Sequence, residues 1–485
     1  MFSFFSPFLR LGVTCCLLLL MVSCASYHQR IEDYHSSIRR QDYKKANNQL
    51  DRIKLLKKDR NRLLYVLEKG KTLHLMQQYD SSNKYLQEAD LLMEAGRSTV
   101  KDLLVTGLLN PMYGQYQPED FERFMVHYYK ALNFLFLGNT TSALVEARRI
   151  SLQNNLQEDK FNNRKERYSS DAFSLMLQGI IYEKGNDLNN AFIAYRNAAD
   201  VYLQHNKNWY GTDMPLQLKK DVLRTAAAMG FTAELQEYER SFNMQYAPEA
   251  YPAGGEAVIF WEMGVAPVKQ QEIFEFTLYK NGGSYFFRDR RGVYDVPFDH
   301  NVTGYNENAL SDMQVFAIAL PKYIPSALPY QQGKIISGNN SYSFEKAQDI
   351  NVLAVQTLRE RYLKELATAL SRMAIKKIAE AAVEPNEDKN KKYNSEEEKK
   401  KAERQADRQK VLSVGLKIFN RITEQADTRN WQSLPANIFY SRIPLLPGQN
   451  ECSISFQNKA GLLEKKSLLL QGKSGLQFQA VYSAN

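Results

Sequence analysis

Residues 174–202 read SLMLQGIIYEKGNDLNNAFIAYRNAADVY. Gly179, Tyr182, Ala191, Tyr195 and Ala198 stand in it at offsets 0, 3, 12, 16 and 19. On either side of Asn186-Asp187, apolar residues recur every three or four positions, which places one apolar stripe on each of two helices. Asn and Asp tolerate the tight backbone of a turn, so the two helices fold back on each other there. Gly179 and Ala191 remove bulk where the helices cross, and Tyr182 and Tyr195 fill the space beside the crossing. The stretch predicts a closely packed helical hairpin.

The same offsets recur upstream. HYYKALNFLFLGNTTSALVEARRI (127–150) carries Ala131, Phe134, Ala143 and Ala147 in register, with Gly138 in the turn. Gly70, Leu73, Ser82, Leu86 and Ala89 form a weaker copy, and RRQDYKKANNQLDRI (39–53) reads as the second helix of an earlier one. This order of small and aromatic residues resembles the tetratricopeptide (TPR) repeat. The resemblance implies an all-α, TPR-like solenoid over residues 24–245, made irregular by the insertions LLNPMYGQYQPED and NNLQEDKFNNRKERYSSD. It also implies a concave face lined by Met125, Tyr128, Leu132, Leu135, Phe136, Phe173, Met176 and Ile180. So apolar a face is either a partner-binding groove or the seat of the chain's own C-terminal half. Exposure on that scale is a liability, which favours the second.

The chain's start bears on compartment. CCLLLLMVSCAS (15–26) ends an apolar run of thirteen residues, Leu11–Ser23, which falls short of the ~20 that a helical span needs and fits a secretory signal. Met21-Val22-Ser23-Cys24-Ala25 resembles the lipobox of bacterial lipoproteins. The resemblance implies cleavage of residues 1–23 and acylation of Cys24, with stable anchoring by two or three chains. Ala25 is not the Asp that resembles an inner-membrane retention signal, so the expected location is the outer membrane, facing the periplasm. Cys15 and Cys16 leave with the signal, so Cys452 has no partner for an intramolecular disulfide. In the alternating ECSISF it reads as a packed strand position. The net charge of +9 over 485 residues forms no concentrated basic arm, and nucleic acid is not an expected partner.

Composition changes at MQYAPEAYPAGGEAVIFWEMG, and residues 246–485 read as an α+β domain. Short aromatic and β-branched runs predict strands over 256–320 and again over 436–483. Between them lies a helical pair, 351–425, with a charged tip at 384–410. Its first arm carries the stripe Val355, Leu358, Tyr362, Leu366, Leu370, Met373 and Lys377. Its second rises through Val411, Val414, Ile418 and Ile422. Taken together, ALVEARRI, MGVAPVK and ADTRNWQSLP resemble a family of uncharacterised bacterial TPR-containing lipoproteins. Genes of that family often neighbour lipoproteins resembling penicillin-binding-protein activators, which implies cell-envelope work and supplies no activity to transfer.

Catalytic signals are absent from the sequence. EKGKT lacks the first glycine of a phosphate loop, with Tyr65 in its place. There is no G-x-S-x-G and no H-E-x-x-H, and the six histidines show no metal-ligand spacing. No cofactor or metal is expected. In ADTRNWQSLP, Arg429 and Trp431 suit a binding hot spot. The structural reading has Trp431 plugging the core and Arg429 paired with a carboxylate at a domain junction. Glu146, Arg148 and Arg149 of VEARRI read as a polar brace between helices. The function these features support is a membrane-anchored periplasmic scaffold or regulator of a cell-envelope complex. The alternative is an enzyme or ligand-binding protein with its site in the C-terminal domain.

Overall fold

The protein is described by a computed structural model over residues 27–98, 112, 114–161, 167–281, 284–290, 292, 295–298, 316–383, 396 and 425–483. The lipobox with Cys24, the charged tip apart from Glu396, and the second arm of the expected helical pair apart from Gln425 lie outside the described residues. So do the side chains beyond Met373 on the first arm.

Among the described residues of the first half, ten α-helices form successive hairpins. They are α1 (Tyr27–Arg39) with α2 (Tyr43–Leu50), α3 (Arg62–Leu75) with α4 (Tyr79–Ser98), α5 (Asp120–Phe136) with α6 (Thr140–Lys160), α7 (Ala172–Lys184) with α8 (Leu188–Gln204), and α9 (Leu216–Ala228) with α10 (Thr232–Phe242). Each packs chiefly on its neighbours in sequence, the arrangement of a solenoid. Capping oxygens start four of them: Asp42, Asn139, Asp171 and Asp187 each accept a backbone N–H three residues on, satisfying a donor the first turn leaves open. Within every hairpin the turn holds one residue in the left-handed region: Gln41, Gln77, Gly138, Asn186 or Gly230. A short β-hairpin, β1 (Asn208–Trp209) and β2 (Thr212–Asp213), separates α8 from α9.

The described residues of the second half form three four-stranded sheets. The central one, in the order β10-β11-β3-β14, joins β10 (Glu345–Asp349), β11 (Asn437–Pro444), β3 (Glu256–Met263) and β14 (Leu476–Ser483). β3 pairs antiparallel with β11 and parallel with β14. Alternation along β3 separates two cores. Val258 and Phe260 join the core of the helices, whereas Ala257, Ile259, Trp261 and Met263 face the second sheet. That sheet runs β13 (Leu463–Gly472), β12 (Gly448–Gln457), β8 (Gln332–Ser337), β9 (Asn340–Ser343). Cys452 is buried in it as a free thiol.

A third sheet, β6 (Asp295–Phe298), β5 (Ser284–Asp289), β4 (Val268–Asn281), β7 (Phe316–Ile324), carries α11 (Ile350–Val383) on its face. Leu353, Ala354 and Leu358 of α11 bury in the core of the helices, and Leu366, Leu370 and Met373 in that of this sheet. One helix therefore bridges the two halves. Strands β8, β9 and β10 lie between positions 320 and 351, where the sequence reading carried none. Gly338, at φ +56°, and Asn339 close the two-residue β8–β9 turn.

Candidate functional site

The apolar face expected as a partner groove is filled by the chain itself, which corrects the groove reading. Met125, Tyr128, Leu132, Phe173, Met176 and Ile180 are all buried, and Phe136 is packed against the same core. Phe260 of β3 sits edge-on to Tyr128 and Phe173. Beside it Glu262, on the same face of β3, accepts hydrogen bonds from Tyr128 (3.1 Å) and Tyr129 (2.9 Å) and an ion pair from Lys71. Lys71 lies over the Tyr129 ring, 4.1 Å from its centroid. Burial pushes the Lys71 amine down, and Glu262 opposes that shift. His74, pushed to about 3 by burial and by Lys71, bridges Asn133 and Tyr482 as a neutral ring.

The second filler is the segment after the undescribed stretch. Trp431 packs on Tyr129, and its backbone N–H donates to Glu122 at 2.8 Å. The next two N–H groups, of Gln432 and Ser433, donate to Glu68 at 2.9 and 3.3 Å. Two carboxylates from two helices thus hold three consecutive amides. Burial pushes both up to about 7. Arg429 is 1% exposed, forked onto Asp427, and donates to Asn61 at 2.7 Å. Neither Arg429 nor Trp431 is available as a surface hot spot; both hold the fold together.

Asp90, His127 and Glu146 converge closely enough to suggest a metal centre that sequence spacing did not reveal. The place of a cation is taken by Lys130, whose ammonium lies 3.0 Å from Asp90 and 2.9 Å from Glu146. Arg149 adds a bond to Asp90 at 2.6 Å. These groups tie α4, α5 and α6 together, so VEARRI supplies a brace, with Arg148 left pointing outward.

An open concavity among the described residues lies elsewhere. A cavity of about 760 Å³ lies between the start of α5, the end of α6, strands β4 and β7, and α11. That size suits a small ligand or a few side chains of a partner. Leu156, Leu320, Pro321 and Ala369 give it apolar walls. Its fixed polar feature is Glu119, buried and held by Lys269 (2.6 Å) and Arg361 (2.5 Å). Burial alone would raise the Glu119 carboxyl; those two cations hold it well below the usual carboxylate range. It is an ion-paired anchor, not a proton donor. Among the described lining residues there is no His, Cys or Ser, and the hydroxyl side chain there is that of Thr368. Sequence reading missed the site because Glu119, Lys269 and Arg361 are far apart in the chain.

No protein-family model matches the sequence, and no curated protein does. Among solved structures, part of the chain is similar to the crystal structure of MamA protein, at 12% identity and a TM-score of 0.27, over 44% of this chain and 87% of that one. It is also similar to the apo form of RapI, at 12% identity and a TM-score of 0.32, over 48% of this chain and 58% of that one.

Proposed function

We propose that the protein is a lipid-anchored scaffold or regulator of a cell-envelope complex. In this reading Cys24 carries the acyl anchor in the outer membrane, the chain faces the periplasm, and partners dock on the outside of its TPR-like helices. One observation carries the choice of surface. The concave residues are covered from within, whereas Val145, Leu152 and Leu156 stand exposed along one side of α6, and Leu156 is also a wall of the cavity. The convergent charges of that cavity are what would favour a ligand-binding or enzymatic role. The exposed apolar stripe on α6, which runs up to the cavity wall, makes docking the better reading.

Affinity capture from detergent-solubilised envelopes, read by mass spectrometry, tests the docking surface. Leu152→Asp with Leu156→Asp should lose proteins that wild type retains, while Leu216→Asp, exposed on α9, should keep them. Equal capture by all three would reject this surface. For the anchor, Cys24→Ala should leave the membrane fraction or persist as an uncleaved precursor; fractionation like wild type, with the signal removed, would reject the lipobox.

A further inference from the structure

Among the described residues the three large sheets end in six edge strands, and five of these carry a feature that discourages a further strand. β6 and β7 contain Pro297 and Pro321, and β9 has only four residues. β10 is bulged and lies against β2, and β13 bears Glu464, Lys465 and Lys466. β14, LQFQAVYS, has none of these. It holds no charge and no proline, and its eight residues pair with β3 in one unbroken register. The carbonyls of Gly475 and Ser483 turn toward β3, accepting from Glu256 and Gly264, so the even-numbered residues between them aim their backbone groups outward. Lys184, at the end of α7, donates to the Leu476 carbonyl at 2.8 Å, and Lys466 to that of Tyr482 at 3.4 Å. Between these two caps, Phe478 and Ala480 face no described strand, and the one contact there is the Gln479 amide at 3.5 Å from the Ala480 carbonyl. Residues 477–482 stay partly exposed.

We infer that β14 is an interface with a second copy of this chain, the two strands lying antiparallel about a two-fold axis at Gln479. This register sets Gln479 against itself, Phe478 against Ala480, Gln477 against Val481 and Leu476 against Tyr482. The amides at the axis bond each other, the largest ring of the middle meets the smallest side chain, and no like charges face across the strands. The strand is therefore its own complement, as a two-fold interface requires. Phe478 of each copy exchanges both backbone hydrogen bonds with Ala480 of the other, at the groups left open in the single chain. The two central sheets then run on as one. The ends agree in charge as well. Lys184 has no ion pair with a described carboxylate, and the register brings it beside Glu464 of the second copy, which sits with Lys466 at Tyr482. A strand from an unrelated protein would have to reproduce both the uncharged pattern and that carboxylate.

The test uses the full chain in dodecyl maltoside, with micelles in large excess so that two chains share one only by binding. Oxidation of Gln479→Cys with copper phenanthroline should give a disulfide-linked dimer, because a non-hydrogen-bonded pair at the axis holds its Cα atoms about 4.5 Å apart. Gln477→Cys should cross-link at least about tenfold less, since the register offsets it from its counterpart by about 14 Å. Wild type, which keeps Cys24 and the buried Cys452, is the blank. Ala480→Pro removes an outward N–H and no bond to β3, so it should melt as wild type does. By light scattering it should self-associate about tenfold or more weakly. A monomeric wild type whose Gln479→Cys does not cross-link overturns the inference. Equal cross-linking through Gln477→Cys also overturns it, because the contact then lacks this register. Dimers that Ala480→Pro leaves intact, with no link through Gln479→Cys, put the interface elsewhere. If the chain is monomeric and Ala480→Pro loses proteins that wild type captures from envelopes, the edge takes a strand from another protein and the second copy is wrong. Should Ala480→Pro fail to fold, the contrast between positions 479 and 477 decides alone.

Discussion

Gly179 shows how one side chain sets the repeat. A Cβ there would lie 2.5 Å from two ring atoms of Tyr195, sixteen residues on. Gly70 faces Leu86 at the same offset, with its Cβ position 2.7 Å from Leu86 Cδ2. Where the sixteenth residue is small, as at Ala147, the first position can be Ala131; the two sizes compensate. The Tyr195 ring has no room to yield, because its hydroxyl donates to Glu183 at 2.9 Å and Glu183 is itself held by Arg442 and Arg224. Gly179→Leu should therefore cost about 1–3 kcal/mol or more from overpacking. Leu is the better helix former by nearly 1 kcal/mol, an opposing and smaller effect. Thermal unfolding should show a clear drop in Tm, and a level or higher Tm would remove the close crossing. The offset of sixteen was legible because both partners lie in one short stretch. The brace behind Tyr195 was not, since Arg442 comes from a strand 259 residues after Glu183.

At the scale of elements, local pattern recovered what is periodic and missed what is assembled. Strands β3, β4, β5, β7 and β11–β14 and the start of α11 follow from alternation and from the stripe through Leu358 and Leu366. The cover over the concave face does not follow, because nothing in a helix's own period says which distant segment will lie on it. The hint was polar: Glu68, Lys71, Glu122 and Tyr128 sit among buried apolar neighbours, and buried polar groups need partners. The Lys71–Glu262 pair tests that interlock between α3 and β3. Lys71→Met leaves Glu262 charged and buried with only tyrosine donors, a loss of about 3–5 kcal/mol. Adding Glu262→Gln removes the stranded charge and keeps an acceptor for Tyr128 and Tyr129. The double variant should then melt above Lys71→Met alone; if it melts lower still, the pair is not what couples these two elements.

For the whole molecule, buried ionisable groups at the seam predict how stability follows pH. Glu68 and Glu122, pushed up to about 7, bind protons more tightly folded than unfolded, so their contribution is complete below about 4.5 and fades as pH rises through 7. His35 and His74, both pushed down to about 3 by burial, work the other way and lose stability as pH falls below about 6.5. Between roughly pH 5 and 6.5 the two pairs nearly cancel, giving a plateau. Above it the histidines are neutral in both states and the glutamates prevail, so stability should fall by about 1 kcal/mol from pH 6.5 to 8. Below pH 4.5, Glu119 and Glu183 join the histidines. Burial would raise both carboxyls, but their cations lower them, Glu183 to about 2, and protonating them removes ion pairs. That limb should be steep. Denaturant titrations across pH 3–8 should give this asymmetric dome, and Glu68→Gln with Glu122→Gln should abolish the alkaline fall and, with the cancellation gone, turn the plateau into a rise from pH 5 to 6.5. Stability that climbs from pH 6 to 8 in the wild type would show that those carboxylates are ionised in the fold, and that the three amides of residues 431–433 are clamped by charge.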